Sequence, residues 1–452
     1  MKKLCLFLII SKLAFAQTIS FEEALNQTIE NSKDLQKQKI NIDIAKTNSD
    51  FIDGVNFGKV SLNSDISRTN HSGYVFMGKL SSREATFKDF GFDLNIRDMN
   101  IAPKDLNYPE AYTSINSYIS YDLPLFTGFA LYHQKGILKL QEKANEILYN
   151  LDKKTLEFEV LKAYNSAVLA KDFVKTMQKA KDTIGFIKNG AKEFHKNGLV
   201  TKIDVNEAEL YFLNTNSNLI EAENNFKLSL AYLKFLTSNQ NISDVENLQN
   251  TYLEIKEFED LYKIALKNRD EITLQNISIE ANNKNIKANQ GSYYPSVFTH
   301  LEYGYNDDKF STSKDKDYYM ALLGISLTLF DGTRSANLEK SRLEYLKAKL
   351  DFEKLQDGIK LEVQKAILDY KAKQEILKEK ILASELASSV LNQAKLQYKN
   401  RLISMTTLLS QETNYRNSQT MLLNAKYENS LALARLNLVL GQNLQKDYKW
   451  DF

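Results

Sequence analysis

The chain has one cysteine in 452 residues, with only four prolines, four histidines and one tryptophan. Each scarcity excludes something. Cys5 lies near the N-terminus, so the rest of the chain forms no disulfide and offers no thiol nucleophile or cysteine metal site. His71, His133, His195 and His300 are scattered, and none falls in a recognised ligand spacing. No GxxxxGK[ST] phosphate loop occurs, so any energy must come from a partner. Nothing here reads as catalysis, and neither a cofactor nor a metal is expected. The formal charge of +2 gives no electrostatic footprint for nucleic acid. Beyond the N-terminus, no segment is apolar for the roughly 18 residues that a membrane-crossing helix requires.

The N-terminus itself reads as a secretory signal peptide over residues 1–16. Lys2 and Lys3 precede an apolar run from Leu4 to Ile10, and Ala14-Phe15-Ala16 forms a small-residue cleavage site. Removing Lys2, Lys3 and Lys12 takes the formal charge from +2 to −1. If the exported protein meets a membrane, it does so through strands.

What is present is a duplication. Phe21-Glu22-Glu23-Ala24-Leu25, running on to Asn31 and Leu35, returns as Phe258-Glu259-Asp260-Leu261-Tyr262, running on to Asn268 and Ile272. Leu123-Pro124-Leu125-Phe126-Thr127-Gly128 returns as Leu327-Thr328-Leu329-Phe330-Asp331-Gly332. Lys196-Asn197-Gly198-Leu199-Val200-Thr201 returns as Lys399-Asn400-Arg401-Leu402-Ile403-Ser404. Three blocks in one order make an internal repeat. Each half reads helix, strand, strand, long helix, helix.

The prolines, Pro103, Pro109, Pro124 and Pro295, all fall within residues 54–128 and 291–332. Elsewhere the chain is rich in helix formers and free of the residue that costs a helix interior about 3 kcal/mol. Phe352, Leu355, Ile359, Val363, Ala366 and Tyr370 recur at spacings of three and four, a stripe that packs helix on helix. Residues 129–196 and 333–399 predict helices of about 100 Å at 1.5 Å per residue, far longer than a compact domain uses. Shorter helices over 20–53 and 201–236 match the long one when placed end to end, and the second half repeats this.

The proline-bearing segments alternate with period two. Val60, Leu62, Ser64 and Ile66 oppose Ser61, Asn63, Asp65 and Ser67. Ile119, Tyr121, Leu123 and Leu125 oppose Tyr118, Ser120 and Asp122. Val297, Thr299, Leu301 and Tyr303 oppose Phe298, His300 and Glu302, and Leu323, Ile325, Leu327 and Leu329 oppose Gly324, Ser326 and Thr328. Strands of about ten residues with one apolar and one polar face suit a membrane barrel with a wet lumen. Tyr74, Phe76, Tyr293, Tyr294, Tyr305, Phe310, Tyr318 and Tyr319 lie near the strand ends, where aromatic girdles belong. Four strands close no membrane barrel, since the smallest need about eight. Several copies must therefore share one. The connection at about 70–112 is long enough to hold a short helix or a lid.

These features resemble the outer-membrane efflux proteins of the TolC family. The resemblance rests on the blocks quoted above, on His195 to Asp204 leading into Val205-Asn206-Glu207-Ala208, on Tyr398 to Leu409, and on the closing Leu433-Ala434-Arg435-Leu436-Asn437-Leu438-Val439-Leu440-Gly441. It implies an internally duplicated, mainly helical α+β chain. A homotrimer would join four strands per chain into an outer-membrane β-barrel, continued by a long periplasmic α-helical coiled-coil barrel. It also implies a periplasmic adaptor protein, a proton-driven or ABC-type inner-membrane transporter, and contact with outer-membrane lipid. On this reading residues 17–53 and 258–290 are periplasmic helices, 54–128 and 291–332 hold the barrel strands, and 129–236 and 333–441 hold the long and short helices. Residues 237–257 and 442–452 form an equatorial belt. Such a channel conducts passively, for efflux or for type I secretion. A periplasmic coiled-coil scaffold or adaptor with a soluble β-domain is the alternative.

The gate is expected at the tips, near 190–207 and 396–411. Acidic residues typically ring this constriction in the family, and here the chain departs. The matching positions are the neutral Thr407 and Ser410, while the first repeat carries Asp204 and Glu207. The expectation is an aperture closed by neutral or apolar residues, with Met405, Thr407, Leu408, Leu409 and Ser410 as candidates, because apolar constrictions gate by dewetting. Gly198 makes the tip turn. Asp204, Glu207, Tyr398 and Arg401 are candidates for a latch between helix pairs. Asp204 also reads as a helix-starting acid favoured by the helix dipole.

Overall fold

A computed structural model describes residues 17–92, 98, 100–247 and 257–442. The expected signal peptide and most of the expected equatorial tail lie outside the described residues, as does much of 237–257.

The chain divides into two compact units. One contains the described residues up to Asn41, then Asn145–Asn276 and Leu350 onward; the other contains Ile42–Ala144 and Ile277–Lys349. The duplication is visible in the element order. The first repeat runs β1 (Gln17–Ile19), α1 (Phe21–Asn31), α2 (Lys33–Asn56), β2 (Lys59–Thr69), α3 (Ser72–Ser81), α4 (Lys104–Asn107), β3 (Tyr112–Thr127), α5 (Ala130–Lys196), α6 (Lys202–Thr237) and β4 (Ile242–Val245). The second runs α7 (Phe258–Asn268), α8 (Asp270–Gln290), β5 (Ser296–Asp307), β6 (Asp317–Ser326), α9 (Arg334–Lys399) and α10 (Met405–Val439).

The first helix of each repeat is broken, which the sequence reading had as one element. The break falls at Ser32 in one and at Arg269 in the other, both with extended ψ angles near 120°. Ser32 still donates its N–H to the Thr28 carbonyl, while its hydroxyl accepts from the Leu35 N–H and starts the next helix. Serine suits this because its side chain competes with the helical backbone for local hydrogen bonds.

The first unit is held by a core in which helices of both repeats meet. The periodic residues Ile359, Val363, Ala366 and Tyr370 lie there with Tyr164, Leu161 and Leu433. Each fully buried aliphatic side chain contributes about 1.5–3 kcal/mol of transfer free energy. A short parallel sheet joins β1 to β4 beside this core. The Tyr164 hydroxyl donates to the carbonyls of Ile19 (2.8 Å) and Glu246 (3.1 Å), tying both strands to α5. Strands of three and four residues carry no periodicity to read, so this sheet was invisible in the sequence.

The second unit holds a four-stranded antiparallel sheet in the order β2-β3-β5-β6. Its register places Val60 opposite Tyr121, Tyr121 opposite Leu301 and Leu301 opposite Ala321. The apolar rows of four separate segments thus fall on one face, while Ser61, Ser120, Glu302 and Met320 share the other. The register shifts between Pro124 and Phe126. Proline has no N–H for the ladder, so an interior strand accommodates it at a bulge. β6 ends at Ser326, short of the expected Leu329, because its partner begins at Ser296 and offers nothing further to pair with. Tyr74 and Phe76 lie on α3 rather than at a strand end.

Candidate aperture at the helix tips

The two tip turns are built alike. Leu199 donates its N–H to the Phe194 carbonyl and Gly198 to that of His195; Leu402 donates to Gln397 and Arg401 to Tyr398. This is the paired closure of a Schellman motif, whose turning residue needs a left-handed backbone. Gly198 supplies it with φ 68° and Arg401 with φ 65°. The second turn therefore carries the strain that glycine avoids.

Each following helix is capped by a hydroxyl. Thr201 accepts from the Asp204 N–H, and the Asp204 carboxylate accepts from the Thr201 N–H at 2.8 Å, completing a capping box. Ser404 accepts from the Thr407 N–H at 3.1 Å, but Thr407 returns only a hydroxyl contact. The Asp204-to-Thr407 mismatch between repeats is thus a difference in capping. No ion pair joins Arg401 to Asp204 within the chain, and both are exposed or half-exposed at their own turns.

Between the turns lies a second core. Ile184, Ile187 and Ala191 of α5 and Val205 and Ala208 of α6 pack with Leu391 and Ala394 of α9. Met405, Leu408 and Leu409 complete it, at 1%, 2% and 0% exposure. Those three side chains, expected at the gate, are part of the packing that holds the four helices together. Thr407 and Ser410 point away from that core and are exposed. They begin a row of Thr407, Ser410, Asn414, Asn417, Met421 and Asn424, all exposed and spaced alternately by three and four. The Asn positions were missed, although a helical stripe of uncharged polar residues was there to be read.

Beside that packing, two side-chain hydrogen bonds among the described residues join the first-repeat helix α6 to the second-repeat helix α10. The Thr406 hydroxyl donates to the Glu207 carboxylate at 2.9 Å. Deeper, the Arg416 guanidinium donates to the Thr215 hydroxyl at 3.0 Å and lies 3.8 Å from the Glu412 carboxylate. Glu412 is 2% exposed, and one of its oxygens has no hydrogen-bond partner. Burial pushes its pKa up, with Arg416 and Lys395 pulling it partly back. Burial likewise raises the pKa of Tyr398, whose hydroxyl is unpartnered beside the Phe194 ring, and the charge of Asp204 adds to the rise. On the far side of α6, Glu209 takes Lys192 at 2.9 Å and Lys188 at 3.5 Å from α5, which hold its carboxyl below the usual range. The tip is therefore four helices closed by an apolar core, with a neutral polar row on one side.

Residues 261–442 match the family described as outer membrane efflux protein. No curated sequence matches the chain. Among solved structures, the CusC channel superposes with a TM-score of 0.78 at 13% identity, over 95% of this chain and 93% of that one. The CmeC outer membrane channel of Campylobacter jejuni has a TM-score of 0.74 at 15% identity, over 93% and 85%. The outer membrane protein VceC of Vibrio cholerae has 0.74 at 14% identity, over 94% and 96%. Among the described residues no helix is long and apolar enough to cross a membrane. The second repeat of the chain thus matches the outer membrane efflux protein family, and the chain as a whole, mostly helical with few strands, has the fold of these solved outer-membrane channels.

Proposed function

We propose that three copies of the chain form one channel-tunnel that carries substrates from an inner-membrane transporter, through a periplasmic adaptor, to the cell exterior. One observation carries this reading: a four-stranded sheet with an apolar face and two unpaired edges, β2 and β6. Unpaired backbone groups in lipid cost several kcal/mol each, so the edges must meet those of other copies. Twelve strands leave room for a channel, whereas eight fill their interior with side chains. The helices support the same assembly. Leu361, Leu368, Leu382 and Leu396 of α9 are exposed at multiples of seven residues. Ile203, Leu210, Leu213 and Ile220 of α6 are exposed in a similar pattern. Such seams suit helices of neighbouring chains.

The gate in this reading is the neutral row that begins at Thr407 and Ser410, with Thr406–Glu207 as the latch between helix pairs. Arg401 is free to reach a neighbouring copy at the tip. Conduction needs no chemistry from this chain, and its energy comes from the transporter.

Reconstitution of the full chain in planar bilayers tests the proposal. A heat-modifiable trimer in the outer-membrane fraction and discrete conductance steps are expected. A soluble periplasmic species without conductance would sink it and favour the scaffold alternative. Thr407→Asp should introduce block by divalent cations from the periplasmic side, because a ring of acids binds them where neutral residues do not.

A further inference from the structure

The connection between β2 and β3 contains α3, and α3 does not lie at random on the sheet. It packs on β3 and β5 and also touches α4, while Phe76 lies against the Phe90 ring and Lys79 pairs with Asp89. Gly78 approaches so closely that a Cβ there would stand 3.1 Å from the Tyr112 ring and 3.5 Å from the Ser114 side chain. Tyr112 and Ser114 belong to the even-numbered face of β3, which continues through Asn116 and Ser120 to Asp122. That is the polar face. The Ser82 hydroxyl, just past the helix, lies 2.7 Å from the Tyr112 hydroxyl on the same face.

The far side of α3 reverses the usual pattern. Val75, Gly78 and Ser82 are buried against the sheet, while Tyr74 and Met77 are 70% and 59% exposed. A solvent-facing helix surface ordinarily carries charge.

The position is fixed by a reciprocal clamp. Arg83 takes a left-handed backbone (φ 56°), and its guanidinium donates to the carbonyls of Asp315 (2.8 Å) in the β5–β6 connection and of Asp317 (2.7 Å), the first residue of β6. From that connection, Lys316 donates to the Ser82 carbonyl at 2.6 Å and to Glu84 at 2.8 Å. Arginine at a left-handed position costs more than glycine. Here its side chain makes two hydrogen bonds that glycine cannot.

We infer that α3 is a constriction at the external mouth, in which Tyr74 and Met77 of each copy project into the conduction path and limit what can leave. This rests on the barrel reading above, because the polar face of the sheet becomes the lumen only when the barrel closes. In a trimer, three copies of Tyr74 and Met77 would ring the exit. An apolar ring resists the passage of water and ions more than its width alone implies. The channel would then have two constrictions of different kinds: a neutral polar one at the tips and an apolar one at the mouth, held by Arg83 and Lys316.

Because Cys5 is the only cysteine, Cys5→Ser is the one background substitution that single-cysteine variants need. The full chain carrying Met77→Cys is reconstituted in planar bilayers and exposed to a water-soluble methanethiosulfonate from the external side. Conductance should fall at least about twofold, because the reagent narrows the pore at its mouth. Leu62→Cys, on the apolar face, should neither react nor change conductance. A labelled Met77→Cys channel with unaltered conductance would overturn the inference, as would an unlabelled one. In a second arm, Arg83→Ala with Lys316→Ala should raise conductance in a trimer that stays heat-modifiable; an unchanged value would remove the clamp's role. Absence of conductance in the unsubstituted protein would count against the channel reading itself, not against the place of α3.

Discussion

The two tip turns share a backbone and differ in chemistry. Gly198 and Arg401 occupy the same left-handed position, Thr201 and Ser404 the same cap, and Asp204 and Thr407 the same third position of the helix. The first turn is relaxed and doubly capped. The second is strained and singly capped, and beyond it lies the helix that bears the exposed neutral row. Duplication thus preserved the geometry of the turn while letting one copy become cheaper to deform. A gate requires such an element, because the parts that move are drawn from the less stable end of a structure.

Several experiments would break or sharpen this contrast. The largest effect is expected from the shared core, where the turns should not differ. Leu409→Ala should cost about 2–5 kcal/mol, as a cavity in a packed core does. Ser410→Ala, one residue on and exposed, should cost almost nothing. Chemical denaturation of the detergent-solubilised protein separates them; equal effects would mean that Leu409 does not sit in the core.

The glycine position comes next. Gly198→Ala should destabilise the first tip by about 1 kcal/mol, because no neighbour crowds a Cβ there and only the positive φ resists it. The mirror change, Arg401→Gly, should stabilise the second tip by up to about the same amount. Hydrogen exchange at the two turns reports each, and a loss of protection on Arg401→Gly would show that its side chain holds the tip.

The caps should follow. Thr201→Ala should cost about 1 kcal/mol, with Ser404→Ala costing less because it loses no capping box. Limited proteolysis at the tips ranks the two, and the reverse order would contradict the asymmetry.

The smallest effect is a pH dependence carried by Glu412. Its folded pKa lies above its ordinary value, so the folded tip holds a proton that the unfolded chain releases. Stability is therefore greatest below the ordinary carboxylate range and declines as pH rises from there to the raised value. Glu412→Gln should flatten that decline. A decline that persists in the variant would assign it to another group.

Much of this was legible beforehand. The matched blocks revealed the repeat, proline placement separated helix from strand, and period-two alternation sorted Val60, Tyr121, Leu301 and their neighbours onto one face before any register was known. The tip was less legible. Met405, Leu408 and Leu409 were expected at the gate because their position was right, yet periodicity cannot say which of two possible partners an apolar stripe will meet. Asp204 reads both as a latch candidate and as a helix-starting acid, and its contact with Thr201 is the second of these. Glu412 and Arg416 gave no signal, since a charged pair reads as surface until the helices close over it.

By itself the amino-acid order determined the elements: where helices run unbroken, where strands alternate, and that one chain cannot close the sheet it makes. These follow from local rules of hydrogen bonding and from the period of each element. Only the tertiary structure decided which apolar residues face a helix of the same chain and which stay exposed. It also decided that β1 pairs with β4 and that α3 lies on the polar side of its sheet. Those outcomes depend on contacts between residues far apart in the chain, which no local pattern records.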